Sequence, residues 1–255
     1  MRIQLLSDLH LESENFTPRP APGADVLVLA GDVDAGHVGL AQFGKWPVPV
    51  VYIAGNHEFD GRDFNDTHAA LRARCASLGI RMLERESLVL EGRGIRVRFL
   101  GTTLWTDFNL FGESESARCQ RAGKYYFERI QRSTRDGSPM NTAAIRAESV
   151  ICREWLRAQL APPADEARDY DRTVVITHFA PTLRSNDNRY PVNAATASFC
   201  NALDAMVEHC DLWLHGHLHC RHDYRVGSAR VVCNARGHAS KGEDDDFRPM
   251  LTLDV

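Results

Sequence analysis

The stretch DVLVLAGD, residues 25–32, decides the reading of this chain: five apolar residues in succession stop at a glycine and an aspartate. A run of that length with no polar face reads as a strand covered on both sides, as in the parallel sheet of an α/β protein. Four other segments repeat the pattern: RIQLLSD (2–8), VVYIAGNH (50–57), TVVITH (173–178) and DLWLHGH (211–217). Between them, 62–78, 141–160 and 196–209 carry helical periodicity, and strands alternating with helices indicate an α/β fold. ESLVLEGRGIRVRFLGTTLW (86–105) reads as a hairpin around EGRG, and 222–233 as strands turning at Gly227-Ser228, before PMLTLDV closes the chain. Hairpins among crossover strands predict mixed sheets.

Polar residues follow each strand at once. Asp8 and His10 follow 2–6, Asp32 follows 26–30, and Asn56 and His57 follow 50–54. His178 follows 173–177, and His217 and His219 follow 211–214. Groups just beyond the carboxyl ends of α/β strands converge on one crevice. Two aspartates, an asparagine and several histidines offer oxygen and imidazole donors without thiolate, a set that suits Mn²⁺, Fe or Zn²⁺. Seven donors exceed one tetrahedral ion and suit two ions sharing a carboxylate, the arrangement that activates water and clamps a phosphoryl oxygen.

With 255 residues, one large domain with a substantial core is allowed; loops at 17–24, 132–139, 161–172 and 236–248 are too short for a domain linker. A formal charge of −4 disfavours a general nucleic-acid binder. Seven scattered cysteines without a CxxC pair fit free thiols in a reducing compartment, no signal-like segment opens the chain, and no stretch has the roughly 18 apolar residues of a membrane span. These features predict a cytoplasmic protein with no membrane partner. The acidic run Glu243 to Asp246 reads as a solvated loop. Oligomeric state is not legible.

SDLH (7–10), GD (31–32), GNHE (55–58), TH (177–178) and GHLH (216–219) stand in the order of the motif blocks of the calcineurin-like metallophosphoesterase superfamily, which this sequence resembles from residue 8 to residue 219. The resemblance implies a four-layer α/β/β/α sandwich, two mixed sheets flanked by helices. It implies two divalent metal ions per chain: one held by Asp8, His10 and His219, the other by Asn56, His178 and His217, with Asp32 bridging both. Manganese is the expected metal, with iron or zinc as alternatives. A metal-bridging hydroxide would attack phosphorus in line while Asn56 and His57 stabilise the phosphoryl oxygens and His57 protonates the leaving oxygen. An acid shortly after the GD block is expected to orient His57, which makes Asp34 the candidate; His215 is left over as a packed imidazole.

The same resemblance implies a hydrolase of phosphate esters. Where protein phosphatases of the superfamily place a phosphate-gripping arginine after that acid, this sequence has Ala35, which turns the expectation toward a small phosphodiester such as a cyclic nucleotide. A phosphomonoesterase or Ser/Thr protein phosphatase is the alternative, and a binding module on the same fold is the non-enzymatic one. Residues 106–160 read as a cap or insertion on a single domain spanning 1–255. Its stretch 116–135, with six basic residues around Tyr125-Tyr126-Phe127, reads either as a substrate-facing element or as an amphipathic helix with its aromatics packed inward. After the late strand in VVCNARGH, Asn234 and Arg236 are candidates to reach the phosphate.

Overall fold

The structure is a computed structural model that describes residues 1–161 and 168–255, so the loop expected at 161–172 lies partly outside the described residues. Five strands form the first sheet: β1 (Arg2–Leu6), β2 (Val26–Ala30), β3 (Val50–Ile53), β4 (Arg81–Met82) and, from the far end of the chain, β13 (Thr252–Asp254). Their order is β13-β1-β2-β3-β4, parallel except for β13. The second sheet is β11-β12-β10-β9-β6-β5, built from β5 (Glu86–Gly92), β6 (Ile95–Thr102), β9 (Arg172–Thr177), β10 (Leu212–His215), β11 (Arg221–Val226) and β12 (Ala229–Asn234). Its two edges are the expected hairpins and its centre is parallel. A short pair, β7 (Thr134–Arg135) with β8 (Ser138–Pro139), lies apart.

Alternation along the strands explains the layers. Ile3, Leu5, Val26, Val28, Val51 and Ile53 join Phe99, Val174, Ile176, Leu212, Leu214 and Val232 in a core between the sheets. Their neighbours Leu27, Leu29, Tyr52, Val175, Trp213 and Val231 point the other way, into a core shared with the helices. Each apolar run therefore has no polar face because both faces are covered. Two mixed sheets flanked by helices are the architecture the sequence implied.

Helix α1 (Phe64–Leu78) starts at Asp63, whose carboxylate accepts from the Asn65 and Asp66 amides, and stops at Gly79 with φ 72°. Helix α2 (Glu113–Tyr125) passes into a π-helical turn, Tyr126–Gln131, that ends at Arg132 in the left-handed region. Helix α3 (Thr142–Leu160) is capped by Asn141. The helix expected over 196–209 is broken: a 3₁₀ turn, Ala194–Ser198, is separated from α4 (Asp204–Val207). Tertiary pairing overrides periodicity there, because Cys200 bridges to Ala180 and the Asn201 carboxamide donates to the Trp105 and Ala180 carbonyls at 3.0 and 3.3 Å. No helix among the described residues is long and apolar enough to cross a membrane.

Candidate metal centre

The ends of β1, β2, β3, β9 and β10 meet where the two sheets come together. The end of β12 links them: Arg236 N donates to Ser7 O and Gly237 N to Asp8 O. Asp8, Asp32, Asn56 and His178 are between 0 and 1% exposed. The chain turns sharply to deliver these groups, with left-handed φ at Asp8 (52°), His10 (46°), Asp32 (49°), His217 (75°) and His219 (47°). Non-glycine residues held there are strained by about 1–3 kcal/mol each, and such strain gathers at functional sites. Glycines in the motif blocks allow close approach: a Cβ on Gly55 would lie 2.1 Å from Asp32 Oδ1, and one on Gly216 2.4 Å from Asp8 Oδ2.

Of three donor groups among the described residues whose ligand atoms lie within 4.8 Å of one another, two are built on Asp32: Asp8, His10, Asp32 and His219, and Asp32, His178 and His217. Asp32 belongs to both. Its Oδ1 accepts from His57 N at 2.9 Å, while its buried Oδ2 lies 3.0 Å from His178 Nε2 without a hydrogen bond. Asn56 turns Oδ1 toward His178 Nε2 at 3.1 Å. His10 and His219 point their Nε2 atoms at each other, 3.1 Å apart.

The far side of most rings is held by oxygen. His10 Nδ1 meets Glu12 at 3.0 Å, His219 Nδ1 meets Glu243 at 2.6 Å, and His178 Nδ1 meets the Ala30 carbonyl at 2.9 Å. Such partners fix the tautomer and orient a metal-binding imidazole. His217 has a longer contact, Nε2 to the Ser198 carbonyl at 3.4 Å, and is wedged between Phe179 and Phe199, ring centroids 4.1 and 5.2 Å away. Glu58 accepts from the amides of Asp32, Val33 and Gly55 at 2.8–3.1 Å and so ties the ends of β2 and β3 together.

Burial opposes charge on the histidines around Asp32, but neighbouring carboxylates make three of them, His10, His57 and His178, more basic than usual. Burial opposes the His178 imidazolium, but Asp32 and Asp8 outweigh it and lift its pKa to about 9. Burial and His178 hold His217 well below the usual histidine range. For His57 burial also opposes charge, yet Asp32, Asp60 and Glu58 raise it to about 10. Oxygen and imidazole donors, anchored outer nitrogens and a buried carboxylate oxygen without a hydrogen bond fit divalent cations.

Asp34 does not orient His57. Its carboxylate accepts from the Gly36 amide at 2.6 Å and from the Gly39 amide, closing its own loop. Asp60 stands on His57 Nδ1 instead, 2.6 Å away, because the 3₁₀ turn His57–Phe59 brings the third residue on back over the ring. Arg236 is turned away from the donors: its guanidinium pairs with Glu14 at 3.0 Å and lies over Phe16. Asn234 donates to the Leu5 and Arg248 carbonyls and ties strands rather than facing the site. Glu243 is not a solvated acid; contacts with His219 and the His238 amide overcome burial and lower it to about 2. His215 is buried, with Nε2 2.9 Å from Ser185 Oγ, and burial lowers it to about 3.

Two further groups lie beside the donors: His238, which the sequence did not single out, and Tyr126, one ring of the aromatic cluster at 125–127. His238 stacks on His10 at 4.5 Å and shares a donor group with His10 and His219. Its signal is position, four residues past β12, and becomes legible only once β12 is known to lie beside β10. The second is Tyr126, whose hydroxyl lies 2.7 Å from Asn56 Nδ2 and 3.1 Å from His57 Nε2. The three adjacent aromatics thus face three ways: Tyr125 is 70% exposed, Tyr126 enters the site and Phe127 is buried. A cavity of about 560 Å³ opens over the donors, bounded by Ile130, Tyr190, Phe199, Arg189 and Lys241.

The family model of calcineurin-like phosphoesterases matches residues 1–221, and the chain belongs to that family of hydrolases. No curated protein matches the sequence. Among solved structures, the phosphopantetheinyl hydrolase PptH from Mycobacterium tuberculosis is similar with a TM-score of 0.72 at 18% identity, over 97% of this chain and 93% of that one. A putative 5'-nucleotidase from Staphylococcus aureus is similar with a TM-score of 0.53 at 16% identity; 92% of this chain covers 49% of it. At these identities the likeness is one of fold.

Proposed function

We propose that the chain is a two-metal phosphodiesterase acting on a small phosphate ester with an apolar or aromatic group, a cyclic nucleotide being one such substrate. The observation that carries this reading is the sharing of Asp32 by two donor groups. Asp8, His10, Asp32 and His219 would hold one ion, and Asp32, Asn56, His178 and His217 the other, with Mn²⁺ the expected metal. Bound divalent ions supply polarisation of phosphoryl oxygens and activation of water.

The side chains do the rest. His57, held through Nδ1 by Asp60 and with Nε2 beside the Tyr126 hydroxyl, lines the cavity and is the group to protonate the leaving oxygen. Asn56 turns Oδ1 to the donors and donates from Nδ2 to the hydroxyl of Tyr126, a residue that lines the cavity. The cavity supports a diester with an organic arm, since Ile130, Tyr190 and Phe199 expose apolar surface there. Arg189, the arginine of that wall, is engaged by Asp187 at 2.7–3.0 Å and by the His219 carbonyl, so it is not free to grip a phosphate dianion.

In this reading residues 1–255 form one metallophosphoesterase domain with 106–160 as its cap. The seven cysteines are free and six are buried, in keeping with a cytoplasmic setting. The test is initial rates on bis(p-nitrophenyl) phosphate and p-nitrophenyl phosphate, using metal-stripped protein with Mn²⁺ restored. Metal-dependent preference for the diester supports the proposal. Preference for the monoester transfers it to a phosphomonoesterase, and no hydrolysis by protein carrying two metals leaves the binding module.

A further inference from the structure

We infer that Tyr126 is a positioning residue: its hydroxyl fixes which atom of the Asn56 carboxamide faces the donors, and it holds the imidazole of His57 over the cavity. The inference rests on the reading of Asn56 and His57 given above, but Tyr126 lies outside every motif block that led to them.

A carboxamide is nearly symmetrical in shape and opposite in chemistry at its two ends. Turned through half a revolution, Asn56 would aim an N–H₂ group at His178 and Asp32, and an amide nitrogen carrying two hydrogens cannot bind a cation. Asn56 is 0% exposed, so no solvent decides between the two orientations. Among the described residues, the hydrogen-bond partner of Nδ2 is the Tyr126 hydroxyl at 2.7 Å. That oxygen also lies 3.1 Å from His57 Nε2. The imidazolium of His57 donates to this oxygen, and a neutral ring can also use the contact, because a phenol both donates and accepts. With Asp60 on Nδ1, the ring is then held at both ends.

The backbone is arranged to place this hydroxyl. Helix α2 gives way at Tyr126 to the π-helical turn, an irregularity often found at functional sites. Phe127 anchors the turn beneath by packing edge-on against Phe108, 5.6 Å between centroids. The turn is tied to the same loop that carries Asn56 and His57: Gly61 N donates to Gln131 O at 2.7 Å and Thr134 N to Arg62 O at 2.9 Å. Tyr126 therefore shares one framework with the groups it orients.

The test compares Tyr126→Phe with Tyr125→Phe, its exposed neighbour, in two measurements. One is steady-state hydrolysis of bis(p-nitrophenyl) phosphate; the other is calorimetric titration of stripped protein with Mn²⁺. Y126F is expected to lower kcat about 10- to 100-fold, and to weaken the looser Mn²⁺ equivalent about tenfold, the usual cost of losing a group that orients a ligand. KM should change less than kcat, since a hydroxyl that acts through Asn56 and His57 matters most in the transition state. Y125F should match wild type. Loss of the hydroxyl leaves the buried Asn56 Nδ2 without its partner and should lower the melting temperature, so a double-mutant cycle separates the orienting role from a merely structural effect. Asn56→Asp has oxygen at both ends and no orientation to choose, so Y126F should cost the N56D protein less Mn²⁺ affinity than it costs wild type. Equal Mn²⁺ affinity of Y126F and wild type, or full additivity with N56D, overturns the inference. If wild type hydrolyses no phosphate ester, the proposed function falls, while the Mn²⁺ titrations still decide the role of Tyr126.

Discussion

The donors at the base of the cavity, Asp8, Asp32, Asn56, His178 and His217, are 0–8% exposed, whereas Ile130, Tyr190 and Phe199 on its lining are 48, 62 and 36% exposed. The base is one wall, made of strand ends. Its side chains are placed by sheet register and held by buried acceptors such as Glu58 and the Ala30 carbonyl. The second is made of Ile130, late in the π-helical turn, and of Tyr190 and Phe199 in the 185–199 loops, whose side chains face outward. Rigid elements suit a reaction centre, which tolerates little displacement, and loops suit selection among substrates. The two walls should therefore fail differently when mutated.

The largest effect belongs at the shared carboxylate. Asp32→Asn leaves each donor group without its common oxygen anion, and both hydrolysis and the second equivalent of bound metal should be lost, as read by rate assay and metal analysis. A variant that kept two metals and full turnover would remove the basis for a shared site.

The rigid wall was legible in the sequence because strands report themselves by apolar runs and deliver whatever follows them. Asp8, Asp32, His178 and His217 needed no further information than the strand ends. The partners of the donors were less legible, since they depend on how loops fold back. Asp34 and Asp60 both lie within a few residues of a motif block, and the choice between them turned on a 3₁₀ turn that no periodicity announces. Glu243 looked solvated because its neighbours are acidic, yet its loop returns across β12 to His219. The other wall was legible in composition alone: three adjacent aromatics in a basic stretch say that a helix packs, and only the π-helical turn decides which ring enters the site.

Next in size are His57 and the acid on its Nδ1, Asp60. His57→Ala should lower turnover by about 10² or more, the usual contribution of acid–base assistance. Asp60→Asn removes the carboxylate that orients the ring and should lower kcat about tenfold or more, a part of that same contribution. Asp34→Asn serves as its counterpart: by weakening two loop hydrogen bonds it should cost about 1–2 kcal/mol in denaturant melts while kcat stays near wild type. If D34N rather than D60N lowered kcat, the expectation drawn from the motif order would be restored. Behind the metal ligands, Glu243→Gln replaces a carboxylate on His219 Nδ1 by a neutral amide, and Mn²⁺ affinity should fall about tenfold with little change in melting temperature.

The smallest effect tests the exposed wall. Tyr190 covers no core residue that needs it, so Tyr190→Ala should shift stability by no more than about 0.5 kcal/mol, as surface substitutions do. Its ring faces the cavity beside Phe199, where it can lie against an aromatic arm of a diester. An aromatic contact of about 0.5–1.5 kcal/mol corresponds to a rise in KM of about 2- to 12-fold for bis(p-nitrophenyl) phosphate. Methyl p-nitrophenyl phosphate has one aromatic group, which departs, and should show a smaller rise if Tyr190 holds the arm that stays. In both cases kcat should be unchanged, because the lost contact is the same in the ground state and the transition state. A fall in kcat with constant KM would instead couple Tyr190 to the reaction centre, and the division of the cavity into a rigid wall for chemistry and an adaptable wall for selection would have to be redrawn.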